Sequence, residues 1–386
     1  MNPFKYGTVV SDRYFIDREK ETAQIKDDLL NGINIILYAP RRYGKTSLVM
    51  QILNDLKKDQ VKTVYLDLFQ VYSLESFIRL YASKIMESSG FSMQKAMKSL
   101  KSYIRGIMPS MGLDDDGKPI LTFSYDSKIP KEYSLLDVLD LPKKLKSKNE
   151  KWVIVFDEFQ EINRLDGEIL EKQFRSIFQF HHEIAYVFMG SKTHLMLNMF
   201  ADKRRAFYNI GKLKKIDKIS DHEMIAHMEN EFKKGNFIFS PGIFEKVLAY
   251  TANIPYYNQY LASQLWQLAK DEGRNIDEEL LEKAVTQILD NQGDYYYTLL
   301  NQLTAYQRSV LHAFIREQDN IFSKEYTKKY DLSSVSSTQR ALKRLIELEI
   351  IDKIEDKYIF SDPFSPIICG NGHFPEFPLF FSKSFI

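Results

Sequence analysis

The stretch from Ile33 to Lys58 constrains this chain more than any other. Ile33–Tyr38, apolar but for Asn34, is a run of strand length, the pattern of a strand buried on both faces. It leads directly into Ala39-Pro40-Arg41-Arg42-Tyr43-Gly44-Lys45-Thr46-Ser47, and a helical pattern then runs from Lys45 to Lys58. A strand, a tight loop ending in Gly-Lys-Thr and a helix together turn successive backbone amides towards one point, where the helix N-terminus adds partial positive charge. That geometry suits a phosphate group. In this pattern Gly44 lets the backbone turn without a Cβ, Lys45 reaches the β- and γ-phosphates, and the Thr46 hydroxyl ligates Mg²⁺. Ser47 is a secondary hydroxyl, and Pro40, Arg41, Arg42 and Tyr43 complete the loop. Ala39 stands where the pattern usually has its first glycine, so the loop must tolerate a methyl there. The expected ligands are ATP or ADP with Mg²⁺.

The same alternation continues to about Lys218. Glu19–Leu30 reads as an amphipathic helix, while Val61–Leu68, Lys151–Phe156 and Ala185–Met189 read as further buried strands. Strands separated by helices imply parallel pairing, so an α/β core with helices on both faces of a parallel sheet is expected over residues 1–220. Within it, Asp116-Gly117 lies between two β-rich pieces, which predicts a hairpin insertion over 109–127. The acids Asp114, Asp115 and Asp116 do not make a calcium loop. With Gly117 in its required place, Gly112 and Phe123 fall at the terminal ligand positions.

Beyond Ser220 the pattern is helical only. His222–Lys233, Pro241–Thr251, Tyr256–Glu272 and Asp277–Gln292 predict an all-helical lid over 221–302. Thr304–Glu317, Ser323–Tyr330 and Ser336–Leu348, followed by Ile350–Ile354 and Tyr358–Phe360, predict three helices and a hairpin, the winged-helix arrangement, over 303–363. The aromatic-rich tail 364–386, with Phe364, Phe374, Phe377, Phe380, Phe381 and Phe385, is expected to pack on the body of the protein or on a partner.

Composition excludes several classes. The single cysteine, Cys369, makes neither an intrachain disulfide nor a zinc or iron–sulfur cluster. With 53 basic and 52 acidic residues, no whole-chain field draws nucleic acid, though a local basic face remains open. No apolar run reaches membrane-spanning length, and Met1–Gly7 lacks a signal peptide's charged region and apolar core, so no membrane and a cytoplasmic location are expected. His181-His182 has no third ligand at metal spacing.

Lys151–Phe156 ends in Asp157-Glu158, two acids at the strand tip that would face the loop. Asp157 would hold the magnesium through water, and Glu158 would polarise the attacking water as general base.

These segments resemble the prokaryotic "archaeal-type" ATPase family. The resemblance rests on Phe15–Glu19, Tyr38–Ser47, Val153–Ile162, Met189-Gly190-Ser191, Ala206-Phe207-Tyr208 and Asn253–Tyr257, and it covers roughly residues 10–365. That family belongs to the STAND-like branch of AAA-type P-loop ATPases, joining an αβα core and helical lid to a C-terminal winged helix, similar to the layout of origin-recognition initiators. The resemblance implies that Phe15–Glu19, with Arg18, approach the adenine side. It makes Ser191 the polar sensor of the γ-phosphate and Asn253-Ile254-Pro255, through Pro255, the lid sensor. Many members carry an arginine just after the Phe-Tyr segment; here Asn209-Ile210 follow Tyr208, and Lys203, Arg204 and Arg205 just upstream are the substitutes for an arginine finger. In the winged helix, Arg340, Lys343 and Arg344 share the polar side of its last helix and are the candidate DNA contacts.

The expectation is slow Mg²⁺-dependent ATP hydrolysis used as a conformational switch, ATP drawing the lid and winged helix against the core and hydrolysis releasing them. Two readings stand beside it: a non-catalytic nucleotide-dependent scaffold, and a DNA-binding regulator acting through the winged helix. A protein partner or self-association is compatible with each.

Overall fold

The computed structural model describes residues 1–10, 16, 18–113, 116–117, 119–126, 128–165, 167–354 and 357–366. They form two compact units. One comprises Arg18–Ala39 and Lys45–Asp217; the other comprises Met1–Asp17, Pro40–Gly44 and Lys218 onward. Most of the aromatic tail, and Cys369 with it, lies outside the described residues.

The first unit is α/β. Its chain runs α1 (Glu19–Leu30), β1 (Ile35–Tyr38), α2 (Lys45–Lys58), β2 (Lys62–Asp67), α3 (Leu74–Ser89), α4 (Met93–Tyr103), β3 (Ile107–Leu113), β4 (Pro119–Tyr125), α5 (Lys131–Leu139), α6 (Leu141–Leu145), β5 (Trp152–Asp157), α7 (Gly167–Phe178), β6 (Ile184–Gly190), α8 (Thr193–Ala201) and β7 (Lys212–Lys215). Five strands make an all-parallel sheet in the order β2-β5-β6-β1-β7. Every residue of β5 and β6 is buried, as a sheet covered on both faces requires. The four strands read from apolar runs are all present, displaced at their ends by one or two residues. The fifth, β7, is Lys-Leu-Lys-Lys, with three of its four residues exposed. It lacks an apolar run because it is an edge strand, and charge at an edge discourages pairing with a stray chain. The expected hairpin is β3–β4, paired from Ile107↔Tyr125 to Leu113↔Pro119.

An aromatic cluster packs one side of the sheet. Phe156, fully buried on β5, meets the rings of Phe77, Tyr81, Phe159, Phe174, Phe178, Tyr186 and Phe188 at centroid distances of 5.6–6.4 Å. Its backbone leads straight into Asp157. His181 belongs to this side: its Nδ1 lies 2.6 Å from the Tyr186 hydroxyl and its Nε2 3.2 Å from Asp140, and burial depresses its basicity.

The second unit carries α9 (Asp221–Lys234), β8 (Ile238–Phe239), α10 (Ile243–Thr251), α11 (Pro255–Asp271), β9 (Asn275–Ile276) and α12 (Glu278–Asn301). α12 runs nine residues past the predicted stop at Gln292. Tyr296 and Leu300 continue the buried stripe of Ile288 and Leu289, and that burial outweighs the cost of Gly293 inside the helix, about 1 kcal/mol. Tyr296 is therefore buried core, while Tyr295 and Tyr297 on either side are exposed. Next come α13 (Ala305–Arg316), α14 (Lys324–Lys329), α15 (Val335–Glu347) and the antiparallel hairpin β10 (Ile351–Ile354) and β11 (Lys357–Phe360). Leu311, Phe314, Leu342, Leu345 and Phe360 make their common core. This is the predicted winged helix. Among the described residues, no helix is long and apolar enough to cross a membrane.

Truncation of Phe156 to alanine should lower the free energy of unfolding by about 3–5 kcal/mol, because it leaves a cavity lined by rings that cannot collapse. Urea denaturation monitored by circular dichroism measures the loss.

Candidate functional site

At the C-terminal ends of the parallel strands the α/β unit gathers a compact set of polar groups, in the position where open sheets of this kind receive ligands. Lys45, the first residue of α2, is only 6% exposed, and its ammonium donates 2.7 Å back to the Ala39 carbonyl at the end of β1. Ala39 is fully buried and is not among the residues with positive φ, so the methyl in place of glycine meets no conformational penalty. Thr46 donates 3.2 Å to Asp157 Oδ2, and Tyr65 on β2 donates to the same oxygen at 2.5 Å. Burial raises the Asp157 pKa above the ordinary carboxylate value, and the adjacent Glu158 charge adds to it, although the Tyr65 hydroxyl and Lys45 favour the ionised form. The Tyr65 phenol is pushed well up by burial and by the Asp157 charge, so it stays a donor.

Glu158 follows in the left-handed region, at φ 50°. Its amide is tied to Asp157 Oδ1 at 2.9 Å, and its Oε2 accepts the Ser191 hydroxyl at 2.7 Å and the Gln160 side-chain amide. Ser191 is 4% exposed and lies just beyond β6. The structure thus brings together Lys45, Thr46, Asp157, Glu158 and Ser191, separated by up to 146 positions in sequence.

The donor chemistry suits magnesium. Thr46 and Asp157 offer hard oxygen atoms from two elements, and Mg²⁺ is typically held by one or two protein oxygens plus waters and phosphate. Among the described residues there is no cluster of three or more histidine, cysteine or acidic side chains of the kind that would hold a metal by itself.

In the second unit, Pro40–Gly44 places Arg42 at φ 70° and Gly44 at φ 83°. A Cβ on Gly44 would meet nothing within 4 Å, so glycine is needed there for conformation and not for space. The Arg41 guanidinium pairs with Glu349, next to the start of the winged-helix hairpin. Arg42 lies 3.6 Å from Asp362 and over the rings of Tyr256 and Tyr257, at 5.1 and 4.8 Å, and its carbonyl accepts the Tyr256 amide. Asp362 is raised above the ordinary carboxylate range by burial, with Tyr296 and Arg42 acting against that rise. Tyr43 is buried. Pro255 opens α11, and before it Ala252 and Asn253 both adopt positive φ. Asn253 is fixed there by donating 2.8 Å to the Ile219 carbonyl and accepting from Asn258 at 2.8 Å. Asparagine tolerates this conformation better than most side chains do.

The remaining predicted residues stand on other elements. Arg18, 5% exposed, stands at the N-cap of α1 and donates 2.7 Å to the Asp217 carbonyl; Phe15 and Asp17 fall outside the described residues. Arg205 is clamped on the buried Glu171 of α7, and Arg204 turns onto Asp202 at 2.7 Å; Lys203 is exposed. Arg340, Lys343 and Arg344 are exposed on α15, with Arg344 3.1 Å from Glu347. Sequence reasoning missed Tyr65 and Gln160. The signal for Gln160 was a polar side chain two positions after Glu158 in an otherwise apolar segment.

The fold and this site define a P-loop ATPase carrying a winged helix. The chain belongs to the family described as "ATPase domain predominantly from Archaea", whose pattern matches residues 15–261, and a probable winged helix domain matches residues 294–367. Its fold is similar to that of a Walker-type ATPase of Pyrococcus abyssi (TM-score 0.64, 16% identity, 95% of this chain and 99% of that one). It is also similar to the Aeropyrum pernix ORC2 protein in ADPNP–ADP complexes (TM-score 0.54, 15% identity, 91% and 92%). A third similar structure is the Aeropyrum pernix ORC1 protein in complex with DNA (TM-score 0.51, 14% identity, 94% and 95%). No curated protein matches the chain.

Because the folded state resists ionising Asp157, this group weakens the ligand-free fold progressively as pH rises from the ordinary aspartate pKa, and in full above its raised one. Below the ordinary aspartate range both folded and unfolded chains hold the proton and the penalty vanishes. Asp157→Asn should therefore raise the melting temperature of nucleotide-free protein by a few degrees at neutral pH, with the gain disappearing towards pH 4. Differential scanning calorimetry at both pH values checks it.

Proposed function

We propose that this protein binds ATP with Mg²⁺, hydrolyses it slowly and uses the nucleotide to switch its C-terminal module. The observation that carries the reading is the convergence of Lys45, Thr46, Asp157, Glu158 and Ser191 at one sheet edge. The loop amides and Lys45 would take the phosphates, with the Lys45 ammonium leaving the Ala39 carbonyl for a phosphate oxygen. Thr46 and Asp157 would hold Mg²⁺, which when bound offsets phosphate charge. Glu158 would accept a proton from the attacking water, and the Ser191 hydroxyl would turn from Glu158 to the γ-phosphate. Two partners in the loop support the switching part. Arg41 and Arg42 are held by Glu349 and Asp362, so an arriving triphosphate competes with carboxylates of the C-terminal module for the same guanidiniums. Arg204 and Arg205, spent on Asp202 and Glu171, would act as fingers only by giving up these partners.

Titration calorimetry and a phosphate-release assay test the reading. Lys45→Ala should weaken ATP binding at least tenfold, since the main cation on the phosphates is gone. Glu158→Gln should keep the affinity while lowering turnover by about 10²–10⁴-fold. Equal ATP affinity in Lys45→Ala would sink the whole reading. ATP binding without measurable turnover in the unmodified chain would leave only the scaffold alternative.

A second reading, DNA contact, is favoured by the three exposed basic side chains on α15 and by the likeness to an ORC1 protein solved with DNA. Replacing Arg340, Lys343 and Arg344 together by alanine should weaken duplex binding and reduce the log–log salt slope by about 3. Fluorescence anisotropy across a salt series measures both, and an unchanged slope would remove α15 from the interface.

A further inference from the structure

Gln160 sits two residues beyond Glu158, in the short 3₁₀ helix Phe159–Arg164, and is 3% exposed. Its Nε2 donates to Glu158 Oε2, the oxygen that already takes the Ser191 hydroxyl. The other end of the same amide, Oε1, is buried without a hydrogen-bond partner. Buried amides are nearly always satisfied at both ends, and an orphaned acceptor costs about 1–3 kcal/mol.

Two further features converge on this contact. Gly190, the last residue of β6, lies against the amide: a Cβ there would stand 2.5 Å from Gln160 Oε1 and 2.4 Å from Met196 Sδ. Any larger residue would displace Gln160 from Glu158. Glu158 itself is a non-glycine residue at φ 50°, a conformation that costs on the order of 1 kcal/mol and persists where the surroundings enforce it. Packing alone needs none of this. A leucine at 160 would fill similar space among Phe159, Ile162 and Met196 and leave no orphaned oxygen.

We propose that Gln160 is a positioning residue for Glu158. Ser191 and Gln160 now share one carboxylate oxygen; when the Ser191 hydroxyl turns to a phosphate, Gln160 is the donor that stays and keeps the carboxylate aimed. Glu158 alone exchanges the proton, and Gln160 acts through it. The proposal rests on the hydrolytic reading of the site given above.

The test compares kcat and KM for ATP, and the melting temperature, in full-length wild type, Gln160→Leu and Gln160→Glu. The second substitution is nearly isosteric and sets a like charge beside Glu158, so it serves even where the leucine variant fails to fold. The expected result is a fall in kcat of about 10–100-fold, the scale of a misplaced catalytic group, with KM unchanged and with the melting temperature of Gln160→Leu not lowered. An unchanged kcat overturns the proposal, as does a kcat loss that tracks a fall in melting temperature or in nucleotide affinity. Wild-type turnover that depends on Glu158 yet ignores Gln160 sinks only this inference. Absence of any wild-type turnover sinks the hydrolytic reading along with it.

Discussion

The buried ammonium of Lys45 sets the terms for everything around it. At 6% exposure it has given up most of its water, and it donates 2.7 Å to the Ala39 carbonyl. A lone buried charge is expensive, so the opposite charge must be close by. The sheet provides it. β1 delivers the loop and β5, two strands along, delivers Asp157, while α2 begins at Lys45 itself. Burial of Asp157 resists its ionisation, while the Tyr65 hydroxyl and the Lys45 charge favour it. Thr46 and Tyr65 both donate to its Oδ2. Burial outweighs these partners in the ligand-free fold, so the carboxylate is held there at a cost.

How this site was legible in the sequence follows from the same physics. A strand covered on both faces must be apolar, so β1, β5 and β6 announce themselves, and their C-terminal tips point to Lys45, Asp157 and Ser191; β2, at one edge, buries only Val64 and Leu66. β7 obeys the opposite rule, since an edge strand carries charge to stay unpaired, and Lys212–Lys215 consequently reads as a solvated stretch. Tyr65 and Gln160 were hidden for another reason. Their roles come from lateral neighbours, Asp157 across the β2–β5 pair and Glu158 one turn away, and neither residue type announces a phosphate site. Among the arginines, sequence can count positive charges near Tyr208 but cannot see that buried Glu171 claims Arg205.

In the second unit, magnitudes separate two contacts that look alike. Arg41 and Glu349 are both about half exposed, and pairs of that kind contribute roughly 0–1 kcal/mol. Arg42 is anchored in three ways: by its carbonyl to the Tyr256 amide, by two aromatic faces, and by Asp362, whose side chain is 15% exposed. Pulling Arg42 away would strand a mostly buried carboxylate whose pKa burial already raises, whereas releasing Arg41 frees a carboxylate that water can solvate. Within this unit the Arg42 contact is therefore the harder of the two to release, and the Arg41–Glu349 pair the easier.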